Sequence, residues 1–206
     1  MNCVIMPPLM GRVSIAAFRV GKHYSTPVWR PENQWLRYRL TDTLRSWLMD
    51  TGSLTQRIKQ HCQGCFRVQV LDQGWGYPGQ DERLVLRISP RQRVIIRQVQ
   101  LLCDGKPWVF ARTIIPVSTL QGPQRRLQFL GDRPLGAYLF SDPSMRRGSV
   151  ELACISRQNT LYEPAVTGIK TKPANIWGRR SVFHVSNKPL LVCEMFLPDL
   201  IKSSLI

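Results

Sequence analysis

Two apolar, β-branched runs flank a single Asp-Gly pair, and this constrains the chain more than any other feature. Val94 to Cys103 and Trp108 to Val117 are the runs, with Asp104-Gly105 between them. A two-residue turn of the favoured hand needs positive φ at both positions, which Asp-Gly tolerates, so the runs should fold back as an antiparallel hairpin. A second hairpin is expected from Arg179 to Val185 and Pro189 to Leu197 about Asn187-Lys188. Phe66, Val68 and Val70 alternate with Arg67 and Gln69, the period of a half-buried strand. Leu84, Leu86 and Ile88 read as another strand, and Val150 to Ile155 as one more. Asp72 to Gly79 reads as a turn-rich loop.

Helical spacing appears in separate clusters. Leu36, Leu40, Leu44, Trp47 and Leu48 give an amphipathic helix from about 33 to 50, ended by Gly52. Ser53 is placed to cap a second helix carrying Leu54 and Ile58. Gly122-Pro123 opens a short helix closed by Gly131, and Asp132-Arg133-Pro134 opens another through Phe140. Residues 142–175 are rich in Pro, Gly, Ser and Asn and form an excursion around one strand. Hairpins with clustered helices, rather than β-α-β alternation, specify a single α+β domain with an antiparallel sheet.

The 206 residues are 43% hydrophobic and 20% charged, enough for a core without staples. No apolar run reaches the ~20 residues of a membrane span, which excludes stable helical insertion. Lys and Arg number 29 against 13 Asp and Glu, a net charge of +16. Such a field draws either a polyanion or a small anion. The basic residues are spread along the chain apart from Arg125-Arg126, Arg146-Arg147 and Arg179-Arg180. No zinc-finger spacing, RNP-like aromatic motif or GXXG clamp accompanies them, so nucleic acid is not the expected partner. Cys62-Gln63-Gly64-Cys65 is a lone pair without the second ligand pair that structural zinc needs. The expectation is reduced thiols in a cytoplasmic protein, with no metal and no cofactor. Residues 1–30 form a basic extension, expected to be poorly ordered and dispensable, and 31–206 form the domain. The helix near Asn33 would be its first core element.

Three strands each carry one ionisable residue among apolar neighbours: Arg97, Arg112 and Glu194. Burying a charge is costly unless it is paired. If Asp104-Gly105 are the central turn residues and the ladder is regular, Arg97 lies directly opposite Arg112. Like charges on one face are destabilising, and a carboxylate held between two guanidiniums would remove the penalty. Leu135 and Leu54 stand in the first turns of their helices, where N–H groups lack intrahelical partners. Together these residues outline an anion pocket without metal ligands.

The blocks Leu101-Leu102-Cys103-Asp104-Gly105-Lys106-Pro107-Trp108, Ala111-Arg112-Thr113 and Pro116-Val117-Ser118-Thr119-Leu120 resemble the chorismate lyase family. So do Pro134-Leu135-Gly136-Ala137-Tyr138-Leu139-Phe140, Trp177-Gly178-Arg179-Arg180-Ser181, Lys188-Pro189-Leu190-Leu191 and Glu194-Met195-Phe196-Leu197-Pro198. The resemblance spans roughly residues 33–198. It implies an enzyme that splits chorismate into 4-hydroxybenzoate and pyruvate, the first committed step towards ubiquinone. It also implies a cytoplasmic monomer whose antiparallel sheet has helices over one side and an internal, lid-covered site. The family's site arginines fall on Arg97 and Arg112 and its essential carboxylate on Glu194. Its backbone contacts fall on Leu135 and, by a looser motif, Leu54. The alternative is a non-catalytic domain sensing aromatic acids, since the fold resembles the ligand-binding domain of some transcription regulators.

Overall fold

The computed structural model describes residues 24–35 and 40–204. Its centre is a seven-stranded, wholly antiparallel sheet. The strands are β1 (Phe66–Gly76), β2 (Val94–Cys103), β3 (Lys106–Pro116), β4 (Arg146–Arg147), β5 (Glu151–Ser156), β6 (Asn175–Val185) and β7 (Lys188–Phe196). Their order is β1-β2-β3-β7-β6-β4, with β5 also paired to β6. The Asp104-Gly105 turn forms as expected, with φ of 48° and 74°. The second hairpin turns at Ser186-Asn187, both with positive φ, one residue earlier than expected.

The helices are α1 (Asp42–Met49), α2 (Leu54–His61), α3 (Gln80–Leu86), α4 (Leu135–Ser141), α5 (Tyr162–Ala165) and α6 (Pro198–Ser203). The larger helical cluster lies over one face. Trp47, Leu48, Leu54, Ile58 and Leu200 pack there on Val68, Val99, Leu101, Val109 and Phe196. Leu135, Leu139 and Leu127 continue the same layer over Ile95, Phe183 and Val192. Each fully buried aliphatic or aromatic side chain contributes about 1.5–3 kcal/mol. The short α3 and α5 pack on the reverse face, against Phe110, Ile114, Leu191, Cys193 and Met195.

Several local expectations are corrected. The long helix of 33–50 starts only at Asp42, because the Thr41 side chain accepts from the Leu44 N–H at 3.3 Å and caps it. A separate 3-10 turn covers Glu32–Trp35, and positions 36–39 of that expectation lie outside the described residues. The loop of 72–79 is largely strand, since β1 runs on to Gly76. The strand through Leu84, Leu86 and Ile88 is α3. Glu82 turns back to accept the Gly79 N–H at 2.8 Å, which starts the helix, and Leu84 points outward, 59% exposed.

Cys62 and Cys103 form a disulfide, against the expectation of reduced thiols. Cys62 ends α2, and the chain returns as β1 with Phe66 opposite Cys103, so the two Cα atoms come within 5.8 Å. The expected extension also ends sooner than residue 30. Trp29 is buried in the reverse-face core, Arg30 bridges to Leu152, and Ser25 to Asn159. The rest of that expectation, residues 1–23, lies outside the described residues.

Candidate active site

A one-residue slip in the first hairpin decides which charges meet. Cys103 faces Lys106 and Leu102 faces Pro107, but Leu101 faces Val109, leaving Trp108 as an extra residue on β3. Pro107 has no N–H to give the ladder. Trp108 is buried in the core beside α6, and its carbonyl accepts the Leu197 N–H at 2.9 Å. A bulge of this kind moves all later residues to the other face. Arg97 therefore pairs with Thr113 and Arg112 with Gln98. The expected facing of Arg97 and Arg112 is wrong: they lie on opposite faces.

On the reverse face Arg112 is bound to Glu82 of α3, Nε to Oε1 at 2.7 Å and Nη2 to Oε2 at 3.1 Å. Burial alone would lower the guanidinium's pKa, but the hydrogen bonds and charge of Glu82 outweigh it and hold it above the ordinary value. Arg180 stands on the same face with Asp81 at 3.0 Å and Glu151 at 2.7 Å, its guanidinium 5.0 Å above the Trp29 ring. Cys193 is buried beside these charges, and desolvation pushes its thiol pKa well up. These groups join α3 to the sheet and are closed off by one another.

The other face holds a cavity of about 590 Å³, part of it open to solvent. Its floor is Val68, Arg97, Val99, Leu101, Ala111, Thr113, Val192 and Glu194 from the sheet, and its roof comes from the starts of α2 and α4. Gly136 lets the two helix starts converge: a Cβ there would sit 3.2 Å from Thr55 Oγ1 and 3.5 Å from Ser53 Oγ. Arg97, Glu194, Leu135 and Leu54 all line this space, and Arg112 does not. Pro134, at the α4 N-cap, offers no side-chain cap. The α2 cap, Ser53, serves the Gln56 N–H rather than that of Leu54.

Arg97 is 2% exposed. Its Nη2 donates to the carbonyls of Gly131 at 2.8 Å and Arg133 at 3.2 Å, and its Nε has no partner among the described residues. No described carboxylate forms an ion pair with it. Desolvation lowers its pKa to about 10, with the charge of Asp132 acting against the shift. The group is still a cation at neutral pH, buried and unneutralised.

Glu194 is placed differently. Its Oε2 accepts from Arg179 Nε at 2.6 Å across the β6–β7 ladder. Arg179 is 1% exposed, and its Nη1 donates to the carbonyls of Trp47, Leu48 and Asp50. The guanidinium thus locks the carboxylate as a hydrogen-bond acceptor facing the cavity. Arg147, at the sheet edge, also lines the cavity, with Nε on Ser181 Oγ at 3.1 Å and Nη1 on the Asp50 carbonyl at 3.0 Å. Burial, then the neighbouring Arg179, lowers its pKa, against the opposing charges of Glu194 and Asp50.

The sequence reading missed Arg179 and Arg147. A signal for Arg179 existed in the turn: centred on Ser186-Asn187 it sets Arg179 opposite Glu194, whereas Asn187-Lys188 would set Ser181 there. Arg147 carried no signal beyond its place in a basic doublet. Among the described residues no cluster of three or more His, Cys, Asp or Glu could hold a metal. The arrangement can hold a small organic anion in an apolar, largely enclosed space and offer it one fixed acceptor.

A family model described as chorismate lyase matches residues 25–205. A "Probable chorismate pyruvate-lyase" from Aromatoleum aromaticum is 39% identical over 186 residues, covering 89% of this chain and 98% of that protein. Another, from Methylobacillus flagellatus, is 42% identical over 162 residues, covering 79% and 90%. A "Chorismate pyruvate-lyase" from Erwinia tasmaniensis is 34% identical over 170 residues, covering 82% and 85%. Among solved structures, the effector domain of PhnF from Mycobacterium smegmatis aligns with a TM-score of 0.51 at 14% identity, covering 73% of this chain and 91% of that one. That likeness is one of fold.

Proposed function

The chain belongs to the chorismate lyase family, and on that premise we propose that it cleaves chorismate to 4-hydroxybenzoate and pyruvate. The observation that carries this reading is the buried, unneutralised Arg97 guanidinium, which shares an apolar cavity with an arginine-locked Glu194. A buried cation without an anion is costly, and an aromatic carboxylate supplies the missing charge.

In this reading the ring carboxylate lies on Arg97 and the Leu135 N–H. The ring hydroxyl lies against Glu194 and the Leu54 N–H. The C–O bond to the enolpyruvyl group breaks and the ring carbon bearing the hydroxyl loses its hydrogen. The departing fragment ends as pyruvate after gaining a proton, and the ring becomes aromatic. The driving force is in the substrate, so the protein need only orient it and offset charge on the leaving group. The site role that the family resemblance implies for Arg112 is not kept, because Glu82 holds Arg112 on the reverse face. The finer reading follows the family resemblance: a cytoplasmic monomer that opens ubiquinone synthesis, binds no nucleic acid and uses no metal or cofactor. Purified protein incubated with chorismate and EDTA should yield 4-hydroxybenzoate and pyruvate in equal amounts. Absence of both products would refute the assignment.

A further inference from the structure

Four ionisable side chains line the cavity: Arg97, Arg147, Arg179 and Glu194. Glu194 is ion-paired with Arg179 and acts on Arg147 only through space. The nearby Asp50 carboxylate is ion-paired with Arg57 at 2.8 Å; Asp50 hydrogen-bonds Arg147 through its backbone carbonyl, and its carboxylate acts on Arg147 only through space. Asp132 reaches Arg97 only through space. Two guanidiniums, Arg97 and Arg147, are thus left without a bound carboxylate among the described residues. A cavity with two surplus cations suits a ligand with two anionic groups.

The positions of the two cations match the order of groups on the proposed substrate. Arg97 is on β2 and Arg147 on β4, four strands away in the sheet. At about 4.8 Å per strand their backbones stand roughly 19 Å apart, and both long side chains reach inward to the same cavity. The Arg179–Glu194 pair lies between them, on β6 and β7. On chorismate the ring carboxylate and the hydroxyl lie at opposite ends of the ring. The enolpyruvyl ether sits on the carbon next to the hydroxyl. With the carboxylate on Arg97 and the hydroxyl on Glu194, the enolpyruvyl group must extend past Glu194 towards β4. Arg147 is there. Its Nε and Nη1 bind neutral oxygens, Ser181 Oγ and the Asp50 carbonyl, and neither contact uses Nη2. Its guanidinium also stands 5.3 Å over the Phe183 ring, which fixes its plane.

We infer that Arg147 binds the second carboxylate of the substrate, on the three-carbon side chain, a contact that the monocarboxylate product does not make. This rests on the reading under Proposed function. The product keeps only the ring carboxylate, so cleavage removes the group that Arg147 holds.

The test compares a dianion with a monoanion on Arg147→Gln and Arg147→Lys. The readouts are kcat and KM for chorismate, and Kd for 4-hydroxybenzoate by calorimetry. Arg147→Gln should lower kcat/KM for chorismate roughly 30-fold or more, the low end for a desolvated charge pair. Affinity for 4-hydroxybenzoate should stay within about threefold, since it has nothing to place on Arg147. Arg147→Lys keeps the charge without the planar fork and should show a smaller loss in the same direction. If Arg147→Gln does not fold, the lysine variant is read alone by the same comparison. Chorismate turnover within threefold of wild type would overturn the inference, as would 4-hydroxybenzoate affinity falling in parallel with it. Failure of the broader reading is separate: wild-type protein would then give no product at all.

Discussion

Replacing Arg97 with Met should separate binding from folding, because the two respond to opposite features of one side chain. For binding, the variant removes the partner of a buried carboxylate. A desolvated pair broken on one side costs about 2–5 kcal/mol. With a factor of ten for every 1.4 kcal/mol, kcat/KM for chorismate should fall roughly 30-fold at the low end and several-thousand-fold at the high end. Affinity for 4-hydroxybenzoate should fall with it, in contrast to the Arg147 variants. For folding, the side chain now gives two hydrogen bonds to carbonyls, at 2.8 and 3.2 Å, and leaves Nε unsatisfied. Hydrogen bonds from a charged group contribute about 1.5–3 kcal/mol each. Against them stands the several-kcal/mol penalty of a desolvated cation with no counter-ion. The terms nearly cancel, so stability should change by no more than about 2 kcal/mol, and Tm by about 4–8 °C in either direction. The assay is a chorismate progress curve beside a thermal melt on the same preparation. Turnover within threefold of wild type would refute the anion role. A collapse in Tm beyond 10 °C would show Arg97 to be a structural group.

Arg112→Met should do the reverse: it leaves Glu82 buried without its partner, costs about 3–5 kcal/mol of stability and leaves 4-hydroxybenzoate affinity intact by calorimetry. Adding Glu82→Leu should recover most of the lost Tm. Reduction, or Cys103→Ser, opens a crosslink spanning 41 residues and should lower stability by up to about 4 kcal/mol in denaturant titration. Desolvation, then Glu82, raises the Asp81 pKa above its ordinary value, against the opposing charge of Arg180. The folded state therefore binds this proton more tightly than the unfolded chain, and the cost appears as pH rises from the ordinary Asp range through the raised value. Asp81→Asn should be stabilised relative to wild type at neutral pH, and the difference should vanish in acid; a pH series of urea melts reads this directly.

Local chemistry made much of this protein legible. Turn residues with positive φ, β-branched alternation and the Ser53 cap act over a few residues, so the hairpins, the α2 start and the closure at Gly131 (φ 56°) could be read from the chain. The α+β class followed from their order. The strand-borne charges were legible too: Arg97 and Glu194 do line the cavity with Leu135 and Leu54. Period two misled at Leu84, Leu86 and Ile88, where Glu82 capping and the docking of α3 on Arg112 outweigh the apolar alternation. Composition could not show the Cys62–Cys103 bond, because the two residues meet only when β1 pairs with β2. The register was settled in three dimensions. Trp108 leaves the ladder for the core beside α6, where burial of its ring outweighs one lost pairing. That single displaced residue turns Arg112 away from the cavity, and the second hairpin's turn brings Arg179 to Glu194. Strand sequence fixes which residues share a face within one strand. Which face meets which across a sheet depends on bulges and turns, and those depend on what packs above them.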